Sequence, residues 1–244
     1  MASSRDVGVR MSRVTKKVLL AVFSLPFLGV AWIFFWPPVY WAEAIEAQVV
    51  DADTDQPLEG VIVTANWELR HFLSAYPEGQ IAVMETITDA QGKFTFPAWG
   101  PRVRRSLWGF FDYAPQFLLF KNGYEWQRLQ NEFGSANNTG LIRHSDWSGK
   151  VIKVKKFVGN VEENAKLLGD LDRRLHYVAF FHRDCSWKQI PRMLVALDQE
   201  KIRLAKTMGI PSDPGKEHRT IEYWEDSNPG YCGSIKDFLR GYMQ

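Results

Sequence analysis

The sequence predicts a mainly β protein: a seven-stranded β-sandwich with an N-terminal transmembrane helix and a C-terminal α-helical appendage. Three observations predict this organisation. An uncharged apolar run occupies 18–36, apolar and polar residues alternate within 45–158, and leucines recur at helical spacing in 160–244. Alternation with a period of two is typical of strands, whereas a spacing of three and four residues is typical of helices.

The N-terminal segment has the features of a membrane anchor. Residues 1–17 carry five basic side chains and one acidic one, and 18–36 carry no charge. At 1.5 Å per residue the uncharged run spans about 28 Å, close to the ~30 Å hydrocarbon thickness of a bilayer. We therefore expect a basic cytoplasmic tail over 1–17, a transmembrane helix or signal anchor over 18–41, and an extracytoplasmic body, periplasmic in a Gram-negative envelope. Four aromatic residues at the far end suit an interfacial belt: Trp32, Trp36, Tyr40 and Trp41.

A cleaved signal peptide is the alternative interpretation of the same segment. Residues 42–44 (Ala-Glu-Ala) have the small-x-small form of a cleavage site, and Pro37 and Pro38 would break a helix before it. The apolar run exceeds the roughly 7–15 residues typical of a signal peptide, which favours the anchor. Secretion after cleavage near Ala44 remains the alternative.

The first strands of the body follow from alternation and turn residues. An apolar run covers 45–52, and a polar turn rich in Asp, Pro and Gly covers 53–60. Residues 61–68 then have a period of two, with Val61, Val63, Ala65 and Trp67 on one face. After a longer connection, 81–88 forms the next strand, with Ala82, Met84 and Thr86 on one face and Ile81, Val83 and Ile87 on the other. These patterns predict three strands.

Four more strands complete the predicted sandwich. Gly92 closes a tight turn where a positive φ is expected, and Phe94 and Phe96 of 93–98 then face inward. An Asn-Gly pair at 122–123 is a strong hairpin signal. The remaining predicted strands are 116–121, 124–130 and 150–157.

The stretch from 45 to 97 resembles a known family. The pattern V-V-D-A-D-T-x-x-P-L-x-G-V-x-V begins at Val49, and T-D-A-x-G-x-F-x-F-P begins at Thr88. Both are similar to the carboxypeptidase regulatory-like domain, whose fold is a transthyretin-like (prealbumin-like) β-sandwich. The resemblance implies such a sandwich over 45–158. Domains of this family are usually non-catalytic modules, so the resemblance implies a fold rather than an activity.

A basic and aromatic loop is predicted at 99–114. Its cationic and aromatic side chains could contact lipid headgroups, a sugar or a peptide. The alternative is that the aromatic residues close the open end of the sandwich while the arginines are solvated. The ligand-contact candidates of this loop are Arg102, Arg104, Arg105, Trp108 and Tyr113.

Helical periodicity predicts the appendage over 160–244. Leucines recur through the first helix, and a second helix is expected to begin near Pro191 and end at Gly209. Residues 234–242 suit a short final helix. We expect these helices to pack on the sandwich rather than on a partner.

The two cysteines, Cys185 and Cys232, are predicted to form a disulfide. An even count outside the cytoplasm favours a bond, and closing this loop would stabilise the fold by roughly 3–4 kcal/mol. The alternatives are a metal site with His176, His182 and His218, or a nucleophilic Cys185 beside His182. The spacings match no compact zinc pattern, and no acid is identified that would orient the histidine.

An acidic turn could be mistaken for a calcium loop. Asp51, Asp53 and Asp55 occur at alternate positions, but Gln56 and Ile62 stand where an EF-hand needs glycine and glutamate. We therefore expect a turn that defines the fold.

The net charge and the motif content of the sequence limit which classes of function are expected. Residues 1–17 contribute +4 to a net charge of +2, so the remainder carries −2 and offers no electrostatic case for nucleic-acid binding. No Walker, dinucleotide, zinc-protease or serine-hydrolase motif is present. The sequence predicts a non-enzymatic, membrane-anchored extracytoplasmic binding or structural module with no cofactor and with a protein or envelope-glycan partner. Two alternatives stay open: an accessory subunit of a membrane complex, and an enzyme with a His/Cys site in the appendage.

Overall fold

The described residues form eleven strands, four α-helices and three 3₁₀ turns. The predicted cytoplasmic tail and 18–38 of the predicted membrane segment lie outside them. Within the part of the chain that is described, no helix is both long and apolar enough to cross a bilayer. The computed structural model describes residues 39–71, 77–103, 109–111, 114–132, 141–180, 185–210, 220–228 and 230–243.

The strands build three sheets. Sheet 1 has the order β10-β1-β6, sheet 2 the order β11-β2-β5, and sheet 3 the order β4-β3-β8-β9 with β7 beside β3. Sheets 1 and 2 follow one another along the same chain segments, because β1 leads into β2 and β5 leads into β6. The strands are β1 (Val39–Ala42), β2 (Ile45–Asp51), β3 (Ile62–His71), β4 (Pro77–Ile87), β5 (Lys93–Phe96), β6 (Trp99–Val103), β7 (Gly109–Phe111), β8 (Gln116–Phe120), β9 (Gln127–Leu129), β10 (Ile142–Arg143) and β11 (Val151–Val154).

The sandwich core lies between sheet 3 and the other two sheets. Val63 and Trp67 on β3 are fully buried, as the alternation predicted. The ring of Trp67 meets Trp99 edge to face at 5.5 Å, and Phe96 stacks on Phe117 at 6.0 Å. Each fully buried side chain of this size contributes about 1.5–3 kcal/mol through apolar burial. These aromatic contacts therefore hold the sheets together.

The helices cover the outer face of sheet 3. Leu118 and Phe120 of β8 share a second hydrophobic cluster with Leu171, Met193 and other helical residues. A strand buried on both faces carries a continuous apolar run, which is what β8 has. This packing confirms the expectation that the appendage rests on the sandwich. The helices are α1 (Val161–Phe180), α2 (Pro191–Thr207), α3 (Thr220–Ser227) and α4 (Ile235–Leu239), and the 3₁₀ turns are Ser186–Gln189, Gly230–Cys232 and Arg240–Tyr242.

One carboxylate fastens helix α2 to sheet 3. Glu85 on β4 accepts hydrogen bonds from the backbone N–H groups of Arg192 at 3.0 Å and Met193 at 2.7 Å. Pro191 occupies the first helical position, where its missing N–H costs nothing. Burial raises the pKa of Glu85, and the two hydrogen bonds oppose that rise.

The structure corrects the predicted strand count from seven to eleven. The four further strands are β1, β6, β7 and β10, which are short and show no sustained alternation. Residues 39–41 belong to β1, so the predicted 18–41 membrane segment cannot extend to 41 as a helix. The predicted connection between β3 and β4 is also largely strand, since β3 runs to His71 and β4 begins at Pro77.

Candidate ligand-binding site

A pocket of about 140 Å³ lies between the outer face of sheet 3 and helix α1. Strands β3, β8 and β9 form its floor, and the C-terminal half of α1 forms its roof. We call it the polar pocket, because hydroxyl, amide and charged side chains make up most of its wall. Its lining residues are Thr64, Asn66, Glu68, Arg70, Gln116, Leu118, Arg128, Arg174, Tyr177 and Val178.

Strand alternation places four polar side chains of β3 in this pocket. Residues 64, 66, 68 and 70 point to one face, because successive side chains of a strand point to opposite faces. In the register of sheet 3, Asn66 lies opposite Gln116 on β8, and Leu118 lies opposite Arg128 on β9. Directly opposed residues have Cβ atoms about 4.5–5.5 Å apart, so the two amides are neighbours.

The two amides offer unused hydrogen-bonding atoms. Asn66 is 3% exposed. Among the residues that the structure describes, the buried Oδ1 of Asn66 accepts no hydrogen bond and the buried Nε2 of Gln116 donates none. A buried polar atom without a partner costs about 1–3 kcal/mol. Each of these two buried atoms therefore carries that cost in the folded protein.

The charges around the pocket are mostly positive. Among the described residues that line it, Arg70, Arg128 and Arg174 outnumber the one carboxylate, Glu68, whose Oε1 lies 3.4 Å from Arg70 Nε. Arg128 and Arg174 are exposed at the mouth. Partial burial, then the guanidinium groups of Arg174 and Arg70, lower the pKa of Arg128, while Glu68 opposes that shift. Arginine stays protonated near neutral pH, so the mouth carries two cations that suit an anion.

Contacts at both ends of the pocket fix helix α1 above the sheet. Trp126 Nε1 donates a hydrogen bond to the carbonyl oxygen of Leu167 at 2.8 Å. Gln80 Nε2 donates to the carbonyl oxygen of Val178. The guanidinium of Arg174 lies 5.5 Å from the ring centroid of Trp126, a cation–π contact between α1 and the segment before β9.

A second groove lies on another side of α1. His176 is half-buried there, with its ring centroid 6.1 Å from Tyr223 and 6.0 Å from Trp224. Burial lowers the pKa of His176, and the charge of Asp172 opposes this. Lys201 already pairs with Asp172 at 2.6 Å, largely away from solvent. The groove thus resembles a packed helix contact more than an ion site.

The predicted basic and aromatic loop is only partly described. Arg102 lies on β6, is exposed, and donates from Nη1 to the carbonyl oxygen of Ile81 at 2.7 Å. Its guanidinium stands 5.3 Å from the ring of Trp99. A ligand contact by Arg102 therefore stays a prediction. The other candidates lie outside the described residues: Arg104, Arg105, Trp108 and Tyr113.

The predicted disulfide is confirmed. Cys185 and Cys232 are bonded, with their Cα atoms 5.6 Å apart. A sulfur in a disulfide carries no thiolate, so in the bonded protein Cys185 is neither a nucleophile nor a metal ligand. His182 and His218 lie outside the described residues. Disulfides are typical of oxidising, extracytoplasmic compartments.

The acidic turn is organised by a single carboxylate. Asp51 Oδ1 accepts hydrogen bonds from the N–H groups of Asp53 and Thr54, each at 3.0 Å, and Oδ2 accepts one from the Tyr124 hydroxyl at 3.0 Å. Burial alone would raise the pKa of Asp51, but these bonds lower it to about 2. The carboxylate thus ties the turn to the segment before β9.

Sequence reasoning missed the polar pocket. The signal was present in β3, where polar residues alternate with buried apolar ones from Val63 to Arg70. Such a pattern normally indicates a solvent-facing side. Only the position of β3 inside the sheet and the helix above it turn that side into a pocket.

The fold and the disulfide define the class: a β-sandwich covered on one face by helices. No family model matches the chain, and no curated protein is similar to it in sequence. The chain is similar in structure to 3-chlorocatechol 1,2-dioxygenase from Rhodococcus opacus 1CP, with a TM-score of 0.30 and 14% identity over 50% of this chain and 62% of the enzyme. It thus spans less than two thirds of the enzyme.

Two further solved structures are similar at the same low level. One is the dioxygenase domain of a dioxygenase carbohydrate-binding protein fusion from Streptomyces sp. SirexAA-E, with a TM-score of 0.29 and 15% identity over 51% of this chain and 84% of that one. The other is the C-terminal domain of the shaft pilin SpaA from Lactobacillus rhamnosus GG, with a TM-score of 0.25 and 14% identity over 49% and 98%. Likeness at this level assigns no family and no activity.

Proposed function

We propose that the protein is a non-enzymatic, membrane-anchored extracytoplasmic module that binds a small anionic group in the polar pocket. One observation supports this most: among the described residues that line the pocket, three arginines face a single carboxylate, and Arg128 and Arg174 are exposed. Guanidinium groups bind carboxylates and phosphates through paired, charge-assisted hydrogen bonds. The transthyretin-like sandwich and the carboxypeptidase regulatory-like family are part of the proposal, and the motifs within 45–97 support them.

The extracytoplasmic location rests on two independent features. The uncharged run at 18–36 follows a basic tail, and the positive charges favour a cytoplasmic N-terminus. The disulfide suits an oxidising compartment. N-terminal sequencing of the protein from the membrane fraction tests the anchor. An intact N-terminus is expected, whereas a mature protein that starts at Ile45 would establish cleavage instead.

Anion binding is tested by calorimetric titration of the purified full-length protein with acetate and phosphate at constant ionic strength. We expect saturable binding of at least one of them, which Arg128→Gln weakens about 10-fold or more, because a hydrogen bond to a charged group contributes about 1.5–3 kcal/mol.

A control variant is available on helix α1, beside Arg174. Arg173→Gln removes the same charge one residue away from Arg174, but Arg173 is exposed and pairs with Asp170 at 3.4 Å outside the pocket. We expect it to bind like the wild type. Absence of binding by both anions, or an equal loss in Arg173→Gln and Arg128→Gln, would contradict the proposal.

A further inference from the structure

We infer that the outer face of sheet 1 rests on the headgroup layer of a phospholipid bilayer. This inference rests on the proposed membrane anchor and adds a second contact between the protein and the membrane. It follows from an exposed apolar surface on sheet 1 and from the few residues that separate this surface from the uncharged run at 18–36.

The strand register places four apolar residues on one side of sheet 1. Trp41 lies opposite Ile142 in the pairing of β1 with β10, and Val39 lies opposite Val103 in the pairing of β1 with β6. Directly opposed residues share a face of the sheet, and so do residues two apart on one strand. We call this surface the apolar face, and it consists of Val39, Trp41, Val103 and Ile142.

The apolar face is open to solvent. Trp41 is 40% exposed, Ile142 48% and Val103 52%. The alternate residues of β1, Tyr40 and Ala42, are buried in the sandwich core, so sheet 1 separates that core from the apolar face. A continuous exposed apolar surface of this kind marks a contact with another molecule or with a membrane.

The fold positions the exposed indole of Trp41. Gly100 on β6 lies directly against it, because a Cβ at Gly100 would collide with the indole ring. The backbone N–H of Trp41 donates a hydrogen bond to the carbonyl oxygen of Leu141 at 3.0 Å, and Leu141 is itself half exposed. Tryptophan is the side chain most typical of the boundary between water and hydrocarbon, since its ring is apolar and its N–H is polar.

The length of the chain brings this face to the bilayer. Val39 follows Trp36, the last residue of the uncharged run, by three residues, which span at most about 11 Å. The headgroup layer on each side of a bilayer is about 5–8 Å thick, half the difference between the whole bilayer and its hydrocarbon core. With the run inserted as proposed, β1 therefore begins within the headgroup layer or just above it.

The size of the face favours a bilayer over a second copy of the chain. Its longest strand has five residues, so the sheet measures about 17 Å by about 14 Å, or roughly 240 Å². A stable protein interface buries about 800 Å² on each partner. A bilayer contact needs far less area, because the anchor already holds the face beside the membrane.

The chemistry of the face specifies the lipid. Its four side chains carry no charge, so the contact depends on apolar burial rather than on attraction to anionic headgroups. A zwitterionic phosphatidylcholine bilayer should therefore suffice, and added salt should not weaken the contact, because salt screens only charges.

The test uses a single fluorescent label in full-length protein. The two native cysteines are bonded to each other, so one introduced cysteine gives one labelling position. Ile142→Cys and Val103→Cys place the label on the apolar face. Tyr223→Cys is the matched control, because Tyr223 is 50% exposed on α3, in the helical layer on the opposite side of the sandwich. Each variant is reconstituted in phosphatidylcholine nanodiscs, and urea unfolding checks that it is folded.

Two quenchers report where each label lies: a nitroxide attached to the lipid headgroup, and iodide in the water. We expect the lipid nitroxide to quench the Ile142→Cys and Val103→Cys labels several-fold more than the Tyr223→Cys label, and iodide to do the reverse. Low and high salt should give the same lipid quenching.

A second pair of variants tests the role of the indole. Trp41→Ser should reduce the lipid quenching of the Val103→Cys label, because it removes the largest side chain of the apolar face. Ile87→Ser removes a similarly exposed side chain at the end of β4 and should leave that quenching unchanged.

The outcomes separate this inference from the anchor on which it rests. If the protein elutes with the nanodiscs but iodide reaches all three labels equally, the protein is anchored and the inference is wrong. Labels on the apolar face that neither quencher reaches would show a second copy on the face and would also contradict the inference. Protein that elutes apart from the nanodiscs would contradict both the anchor and the inference.

Discussion

Removing the disulfide should cost a large part of the stability of this fold. The bond closes a loop with a sequence separation of 47 residues. In the chain-entropy account a loop of that length destabilises the unfolded state by about 4 kcal/mol. We therefore expect the double variant Cys185→Ala/Cys232→Ala to lose about 4 kcal/mol of unfolding free energy. That is a large fraction of the ~5–15 kcal/mol of a typical domain.

The local backbone at Cys185 supplies an internal control. Cys185 has a φ of 58°, in the left-handed region. A non-glycine residue there costs about 1–2 kcal/mol, which glycine avoids. The pair Cys185→Gly/Cys232→Ala should therefore be about 1 kcal/mol more stable than the double alanine variant, although both lack the bond. The difference separates the covalent restraint from the backbone strain.

The assay is urea unfolding of the full-length protein, followed by the fluorescence of its tryptophans. Wild-type protein in reductant should unfold at the urea concentration found for the double alanine variant. Oxidised wild-type and double alanine proteins that agree within about 1 kcal/mol would refute the reasoning, since the chain-entropy effect would be absent. Two free thiols in protein isolated from its own compartment would refute the bond itself.

Three further predictions follow from single side chains. The pKa of Asp51 falls from 3.8 to about 2 on folding, so its contribution to the free energy of unfolding is complete above pH ~4 and is lost as the pH falls towards 2. Urea unfolding midpoints measured between pH 2 and pH 6 should fall at the acid end, and Asp51→Asn should reduce this dependence on pH. Glu85→Ala should cost about 1–3 kcal/mol, because two N–H groups at the start of α2 lose their acceptor, whereas Asp170→Ala should change unfolding by less than about 0.5 kcal/mol. Gly92→Ala should destabilise more than Gly123→Ala in the same assay, because both have a positive φ but only at Gly92 would a Cβ collide with backbone; equal losses would contradict this.

The sandwich core was predictable because burial of one face of a strand produces an alternating pattern of apolar residues in the sequence. Val63, Trp67, Phe94 and Phe96 face one core, and a period of two is the only pattern that achieves this on a strand. The short strand β10 has no such alternating pattern. It is two residues long, and its pairing with β1 is decided by the backbone rather than by side-chain pattern.

The polar pocket could not be predicted, because its parts come from distant segments. Arg128 and Arg174 belong to a strand and a helix that meet only once α1 is laid on sheet 3. Trp126 and Gln80 fix that placement through backbone carbonyls of the helix. A backbone carbonyl oxygen accepts a hydrogen bond whatever its side chain is, so the sequence of α1 contains no motif from which these two contacts could be predicted.

The polar floor is difficult to explain by folding alone. Where α1 carries Leu168 and Leu171, the facing sheet is apolar and the two belong to one cluster. Further along the same helix, the sheet instead presents Asn66, 3% exposed and with a carbonyl oxygen that accepts nothing among the described residues. An apolar residue of similar size there would remove a penalty of about 1–3 kcal/mol. Asn66→Leu should therefore raise the unfolding free energy in urea. A variant that instead loses stability would show that the Asn66 amide serves the fold.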